Sequence, residues 1–267
     1  MNAGQRIGAA TTIAAAVALA GAGVAQAAPD ATVSVSGNQL AYVASGGAKN
    51  NVEITLDGGY YWVDDVVNLT PGAGCGFAPG HDSTVVRCAN VGIGSISVYT
   101  AGGNDVVDAR VHSVWVPMYI LGGTGDDLLA GQNGNDVVEG GSDYDRVYGN
   151  QGNDLLFGGH RYIEDNTAGN FMVGGGGDDE LYGGLKNDVM DGQQGNDYMW
   201  GSDGNDDMRG GEGNDKLRGS NNNDTLRGDQ GDDILEGGAH NNSVDGGSGS
   251  DTCSGGPGFS NCEAVIG

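Results

Sequence analysis

The sequence has little positive charge: 11 Lys and Arg residues stand against 36 Asp and Glu, which gives a formal net charge of −25 at pH 7. This deficit excludes nucleic acid as a partner, because phosphate binding needs clustered Lys and Arg side chains. Uncompensated charge on this scale repels itself in a compact chain, and the 54 glycines lose much backbone entropy on ordering. The expected partners are therefore cations, unless the chain is an acidic disordered segment.

Catalytic motifs are also lacking. There is no H-E-x-x-H zinc motif and no G-x-S-x-G nucleophile turn, and no glycine run ends in the Lys-Ser/Thr pair of a phosphate loop. The four histidines, His81, His112, His160 and His240, are isolated from one another in the sequence. Residues 28–121 are few for a hydrolase core. We therefore expect that the protein is not an enzyme.

Residues 1–27 have the pattern of a secretory signal peptide. Arg6 gives a basic start, residues 7–24 are an apolar stretch rich in Ala and Gly, and residues 25–27 form a small-x-small cleavage site. A retained membrane anchor is the alternative, but the stretch is poor in Leu and therefore weak as a span. We expect a secreted, extracellular protein that starts at Ala28 and has no membrane span once the signal is removed.

A nine-residue unit, G-G-x-G-x-D-x-U-x with U a large apolar residue, recurs from residue 122 onward. Units start at residues 122, 131, 140, 149 and 158 and, after seven inserted residues, at 174 and then every nine residues to 255. Twelve of these fifteen units carry Asp at position six: Asp127, Asp136, Asp145, Asp154, Asp179, Asp188, Asp197, Asp206, Asp215, Asp224, Asp233 and Asp251. A fixed period of this kind is typical of a solenoid rather than of a disordered acidic tail.

The unit resembles the hemolysin-type calcium-binding repeat of RTX proteins, over a little more than half of the chain. The resemblance implies an all-β fold, a parallel β-roll (a β-solenoid), over residues 122–263. In such a roll two repeats make one turn, the last three residues of each unit form a strand, and the first six form a loop. Each loop is then expected to lie over the loop eighteen residues further on.

Calcium is the cofactor that the resemblance implies, and the residue types suit it. Glycines at positions one, two and four permit positive φ and sharp turns, and the Asp at position six adds the hard anionic oxygen that calcium prefers. We expect the twelve aspartates to bind several calcium ions in pairs such as Asp127 with Asp145. Because binding and folding are then linked, our hypothesis is a chain that is largely disordered without calcium and becomes a roll at roughly millimolar calcium.

Position eight carries an apolar residue that is expected to point into a thin core. These residues are Leu129, Val138, Val147, Leu156, Leu181, Met190, Met199, Met208, Leu217, Leu226, Leu235 and Val244. Cys253 and Cys262 occupy the same position in the last two units. We expect them to face each other across the core and to form a disulfide that closes the end of the roll.

The pattern breaks at several positions. Asn170, Asn242 and Ser260 replace the Asp at position six, which removes charge from any site that they share. Lys186 and His240 replace the glycine at position four and put the local loop geometry in doubt, because neither residue readily adopts a left-handed conformation.

An insertion near residues 160–170 is expected to bulge from the roll. On one sheet, the outward positions would place four aromatic side chains beside one another: Phe157, Tyr182, Tyr198 and Trp200. This cluster is a candidate site for a glycan or a protein partner, since exposed apolar patches commonly mark contacts. The alternative is that the insertion or the N-terminal segment folds over it.

Residues 28–121 contain short stretches of alternating apolar and polar residues, which are typical of strands. Cys75 and Cys88 flank a short loop and are predicted to pair. Residues 101–108 form a degenerate repeat, so this β-rich segment is either the N-terminal cap of the solenoid or a separate small sandwich.

Together these features predict a secreted protein that binds several calcium ions, folds with them and has a structural or interaction role. The alternative is an extracellular enzyme or adhesin module that uses the roll as a scaffold. Calcium dependence fits both, whereas a ligand bound at the aromatic cluster would favour the second.

Overall fold

The computed structural model describes residues 31–110, 115–160, 168–255, 258–262 and 264–266. These residues form only strands and loops, which agrees with the predicted all-β class. None of them belongs to a helix that is long and apolar enough to span a bilayer. The predicted signal peptide and residues 161–167 of the insertion lie outside the described ranges.

The strands form two sheets, A and B, which have thirteen strands each in the described ranges. Sheet A contains β1 (Ala31–Ser36), β2 (Gln39–Ala44), β5 (Leu69–Pro71), β8 (Ser95–Tyr99), β10 (Met118–Thr124), β12 (Val137–Ser142), β14 (Leu155–Phe157), β16 (Glu180–Gly184), β18 (Tyr198–Asp203), β20 (Lys216–Asn221), β22 (Ile234–Gly238), β24 (Thr252–Ser254) and β26 (Ala264–Ile266). Sheet B contains β3 (Asn51–Asp57), β4 (Tyr60–Asp64), β6 (Cys75–Phe77), β7 (Val85–Ala89), β9 (Val106–Arg110), β11 (Leu128–Ala130), β13 (Arg146–Gln151), β15 (Phe171–Gly176), β17 (Val189–Gln194), β19 (Asp207–Glu212), β21 (Thr225–Gln230), β23 (Ser243–Ser248) and β25 (Gly258–Ser260).

From β8 onward, successive strands alternate between the two sheets, and each strand pairs in parallel with the strand two further along the chain. Met199 of β18, for example, is in register with Leu217 of β20, eighteen residues later. This is the parallel β-roll that the resemblance implies, in which two units bring the chain back to the same sheet one strand spacing further on. We call one such full turn a layer.

The core is a single column of side chains from each sheet, and it confirms the prediction for position eight. All twelve predicted residues are at most 1% exposed. Met172 joins the same column, in register with Val147 and Met190, although it follows the insertion and was not predicted. The apolar side chains at position eight therefore supply the burial that holds the two sheets together.

The N-terminal segment extends both sheets. In sheet A, β2 pairs in parallel with β8, and in sheet B, β3 pairs in parallel with β9, the strand of the degenerate repeat. The hairpins β1–β2 and β3–β4 then add antiparallel strands at this end. Cys75 lies opposite Cys88 in the antiparallel pair β6–β7, and the two form a disulfide, as predicted.

At the other end, the predicted position of Cys262 is wrong. Phe259 of β25, not Cys262, is in register with Val244 of β23. Phe259 offers more apolar surface to the core than a cysteine, and Cys262 follows the strand, although both side chains are partly buried. The predicted disulfide is nevertheless present, because the Cα atoms of Cys253 and Cys262 are 6.0 Å apart.

Candidate metal centre

The aspartates at position six line both edges where loops stack, and all twelve are buried, at most 2% exposed. Burial of a carboxylate is unfavourable unless a counter-charge or a full set of hydrogen bonds compensates its charge. The contacts of the two carboxylate oxygens therefore decide what the loops can bind.

One carboxylate oxygen, Oδ1, ties each loop to the preceding layer. The main-chain N–H of Asp197 donates to Oδ1 of Asp215 at 2.8 Å, and the N–H of Asp179 donates to Oδ1 of Asp197 at the same distance. All eight pairs of position-six aspartates that lie eighteen residues apart, Asp127 with Asp145 among them, make this contact, and they thereby form two ladders along the roll.

The other oxygen, Oδ2, has no hydrogen-bond donor in most layers. Among the predicted aspartates it is buried and unpartnered in Asp127, Asp145, Asp154, Asp179, Asp188, Asp197, Asp206, Asp215, Asp224 and Asp233. Asp136 differs, because the N–H of Gln132 donates to its Oδ2 at 2.8 Å. A buried anionic oxygen with no donor is costly, so each of these oxygens requires a proton or a cation.

A main-chain carbonyl shares the space in front of Oδ2. A Cβ built on Gly210, at position one, would lie less than 3.0 Å from both Asp215 Oδ2 and the carbonyl oxygen of Gly228 in the next layer. The same holds for the position-one glycines at Gly122, Gly131, Gly140, Gly149, Gly174, Gly192, Gly219 and Gly228. Glycine therefore keeps open a space lined by a carboxylate and a carbonyl oxygen, the hard ligands that calcium takes.

Position four sharpens the turns of the same loops. Gly195 has φ 128° and Gly213 has φ 132°, a region that favours glycine. A Cβ on Gly213 would meet the carbonyl oxygen of Gly195, so the carbonyls at this position also stack closely from layer to layer.

Burial raises the pKa of the carboxyl groups of Asp127, Asp136, Asp145, Asp154, Asp179, Asp188, Asp197, Asp206, Asp215, Asp224 and Asp233, and neighbouring carboxylates raise it further at most of them. The hydrogen bond from the preceding main-chain N–H acts in the opposite direction. The pKa rises to about 8 for Asp145, Asp179 and Asp188, to about 7 for Asp127, Asp154, Asp206 and Asp215, and to about 6 for Asp136, Asp197 and Asp233. At neutral pH, protons and cations therefore compete for these carboxyl groups.

Sequence comparison decides the family. The family described as RTX calcium-binding nonapeptide repeat (4 copies) matches residues 119–147, 130–159, 166–199, 173–208, 182–217, 200–235 and 227–259, which together are about half of the chain. The chain belongs to this family. Its RTX repeats bind calcium, as predicted. A comparison with curated proteins gives no match.

The RTX roll also has contacts that the spacing of eighteen residues missed. The N–H of Asp154 donates to Oδ1 of Asp179, and the N–H of Asp145 donates to Oδ1 of Asn170, each across twenty-five residues that include the insertion. At the N-terminal end, the N–H of Asp105 donates to Oδ1 of Asp127. The signal for Asp105 was its place in the degenerate repeat, where it stands at position six when the unit is counted from Thr100.

A further set of ladder contacts runs along position five and was not predicted. Oδ1 of Asn196 accepts the N–H of Asn214 at 2.9 Å, and Oδ1 of Asn214 accepts the N–H of Asp232 at 2.8 Å. These side chains are exposed, unlike the aspartates at position six. The frequent Asn or Asp immediately before the position-six Asp was the available signal, because both residues readily bond to nearby main-chain groups.

The departures at position four have different outcomes. Asp143, Asn222 and His240 all adopt positive φ, between 75° and 79°, in place of glycine. Lys186 does not adopt positive φ, so its main chain departs from that of glycine at position four. His240 keeps the glycine-like conformation. The exposed ring of His240 accepts the N–H of Asn222 at Nδ1, 3.1 Å away, which supports this loop.

The predicted aromatic cluster lies on sheet A of the RTX roll, on the neighbouring strands β14, β16 and β18. The rings of Phe157 and Tyr182 are stacked with centroids 5.1 Å apart. Tyr182 also contacts the rings of Tyr198 and Trp200, at 6.0 Å and 6.3 Å. The four side chains are each half-buried.

Polar neighbours engage two of these rings. Lys216 Nζ lies 5.9 Å from the ring centroid of Tyr198, and the Arg218 guanidinium lies 5.5 Å from that of Trp200. The indole N–H of Trp200 donates to Ser220 Oγ at 2.9 Å. These contacts stabilise the outer face of sheet A, because a cation over a ring is attracted by its π-electrons.

Proposed function

We propose that this protein is secreted, folds outside the cell around several calcium ions, and has a structural or interaction role. Each ion would be held by Oδ2 of an aspartate at position six and by the carbonyl oxygen of a position-one glycine in the next layer. The family is itself a calcium-binding repeat and not a catalytic one, which supports a non-enzymatic role.

The observation that carries the proposal is the pair of acceptors at each stacked loop. Asp215 Oδ2 is buried without a donor, and the Gly228 carbonyl faces the same glycine-lined space. Two oxygens that share a space without a hydrogen between them repel each other, and a divalent cation converts the repulsion into attraction. Calcium fits this space better than magnesium, since it accepts irregular oxygen coordination and gives up its water more readily.

Calcium would also act as the folding switch. The chain carries a net charge of −25, and the compact roll buries its aspartates side by side, so the calcium-free roll is destabilised by self-repulsion. An ion that binds the folded chain and not the unfolded chain adds stability at each site, and several sites in one array make folding cooperative in calcium. We expect a midpoint in the roughly millimolar range of extracellular calcium modules.

Secretion is supported by two features of the chain. Residues 1–27 have the signal-peptide pattern, and the two disulfides suit an oxidising compartment. Expression of the full chain with its own N-terminus should release into the medium a protein whose mass corresponds to a start at Ala28. Retention of the whole chain in the cell would contradict the proposal.

The calcium sites are tested by two adjacent substitutions with the same change in charge. Asp233→Asn removes the buried anionic oxygen, whereas Asp232→Asn changes an exposed side chain whose Oδ1 accepts the N–H of Ser250 and is retained in Asn. Calorimetric titration should give fewer calcium ions per chain for Asp233→Asn than for the unmodified chain, and an unchanged number for Asp232→Asn. Equal numbers for both variants would contradict the assignment.

Circular dichroism tests the folding switch. The unmodified chain should gain β signal as calcium rises, and magnesium at the same concentration should give a much smaller gain. The same β content in a calcium chelator as in calcium would contradict calcium-linked folding.

A binding role for the aromatic cluster is the alternative, and the contiguity of its four rings favours it. Retention on a polysaccharide array that is lost on Trp200→Ala, with the calcium number unchanged, would support an adhesin-like role. Absence of any ligand beyond calcium would leave the structural role.

A further inference from the structure

Asn242 stands at position six in a layer where an aspartate is expected, and it is 3% exposed. Its Oδ1 accepts the main-chain N–H of Asp224 at 2.8 Å, as the carboxylates do in other layers. Only an oxygen can accept this N–H, so the contact fixes which way the side-chain amide is turned. The nitrogen, Nδ2, must therefore point where Oδ2 points in the aspartate layers.

Nδ2 of Asn242 supplies the hydrogen-bond donor that the aspartate layers lack. It donates to the carbonyl oxygen of Gly255 at 3.0 Å and to that of Ala239 at 3.2 Å. Gly255 is the position-one glycine of the next layer, the counterpart of Gly228 in front of Asp215. Where an aspartate layer brings two acceptors together, this layer has a donor facing an acceptor, and the carbonyl is satisfied without a cation.

We infer that Asn242 takes the place of one calcium ion, so that its loop and the loop of Gly255 in the next layer stack on each other without metal. This inference rests on the proposed function, because it concerns which of the stacked loops take an ion. The partial positive charge of the N–H group, together with the missing carboxylate charge, repels a cation from this space. The number of ions bound is therefore smaller than the number of stacked loops, and this layer is insensitive to calcium concentration.

Asn170, the other asparagine at position six in the described residues, is not equivalent. Its Oδ1 accepts the N–H of Asp145 at 2.9 Å, so the amide is turned the same way. Its Nδ2, however, is buried and has no hydrogen-bond acceptor. Asparagine alone therefore does not complete a metal-free layer, and the contact with Gly255 is what distinguishes Asn242.

Restoring the carboxylate tests the inference. In calorimetric titration of the mature chain with calcium chloride, Asn242→Asp should bind one ion more than the unmodified chain. Asn241→Asp is the matched control, since it adds the same charge at the adjacent exposed position five, where Asp232 and Asp178 already stand. This control should leave the number of ions unchanged.

Removing the amide supplies the second measurement. Asn242→Ala should bind as many ions as the unmodified chain, but its urea midpoint in saturating calcium should be lower, because the Gly255 carbonyl loses its donor. Loss of an ion in Asn242→Ala would show that Asn242 is itself a calcium ligand and would overturn the inference.

The outcomes of this experiment are distinct from those for the proposed function. An Asn242→Asp chain that binds the same number of ions as the unmodified chain, or that stays unfolded in calcium, overturns the metal-free layer while the other calcium sites stand. An unmodified chain that binds no calcium overturns the proposed function itself.

Discussion

The main-chain N–H of Asp215 donates to Oδ1 of Asp233, one layer further along the roll, at 2.8 Å. Immediately before them, Oδ1 of Asn214 accepts the N–H of Asp232, also at 2.8 Å, in the opposite direction. The same two loops are thus joined both ways, and only Oδ2 of each aspartate is left for a proton or a cation.

The first prediction concerns pH. The pKa of Asp179 rises to about 8 and that of Asp215 to about 7 in the folded roll, above the ordinary value of 3.8. A raised folded-state pKa means that the folded chain holds more protons. The calcium-free roll should therefore be most stable below about pH 4 and lose stability as the pH rises through about 6 to 8.

Circular dichroism in metal-stripped buffer measures this dependence. More β signal is expected at pH 5 than at pH 8.5, because protons take the place of the missing cations. In saturating calcium the difference should disappear, since the carboxylates are then neutralised by the ion. A calcium-free chain equally disordered at both pH values would contradict the prediction.

The second prediction concerns the glycine in front of a carboxylate. Gly210→Ala places a Cβ in the space shared by Asp215 Oδ2 and the Gly228 carbonyl, at less than 3.0 Å from both. We expect one ion fewer by calorimetry and a loss of about 1–3 kcal/mol of unfolding free energy in calcium, as for overpacked interiors. Gly46→Ala is the control, because nothing lies within 4 Å of its Cβ, and it should change neither quantity.

The third prediction concerns the core. Met199 is fully buried in the position-eight column, so Met199→Ala should lower the unfolding free energy in calcium by about 2–5 kcal/mol through lost burial and an unfilled cavity. Val189→Ala, at a 43% exposed position on the outer face of sheet B, should cost far less. Urea unfolding followed by circular dichroism compares the two, and equal losses would mean that the column is not the core.

The fourth prediction concerns the C-terminal disulfide. Replacing Cys253 and Cys262 together by Ser releases a cross-link between residues nine apart and should cost roughly 2–3 kcal/mol in the chain-entropy account. Fraying should be local, so main-chain hydrogen exchange should rise at Thr252, whose N–H donates to the Asp233 carbonyl, and not at Leu40 at the other end. Uniform exchange along the whole roll would contradict a local role.

Much of the roll follows from one period. The nine-residue period marks the recurring positions six and eight, and the resemblance to RTX repeats supplies the roll in which two units return the chain to the same sheet. Together they place Met199 in the core and stack Asp215 on Asp233. Across the insertion the spacing of eighteen residues no longer applies, and Asp154 stacks on Asp179 at a spacing of twenty-five residues. Sequence spacing cannot give the path of an inserted loop, only the two points where the pattern stops and restarts.

The ends of the roll were harder to predict for another reason. Alternation of apolar and polar residues identifies β1 to β4 as strands but does not say which strand pairs with which, since period two is shared by parallel and antiparallel neighbours. At the C-terminal end, both Phe259 and Cys262 are apolar, and only the register of β25 with β23 shows that Phe259 takes the inward place.

The opposed ladders at positions five and six have a consequence for the length of the molecule. The loop of Asp215, for example, is joined by the same kinds of hydrogen bond to the loop before it and to the loop after it. The roll is therefore a one-dimensional stack of nearly equal couplings. Duplicating two units, such as residues 192–209, would lengthen the roll by one strand spacing, about 4.8 Å. It would also raise the free energy of unfolding by the contribution of one added layer and its interface.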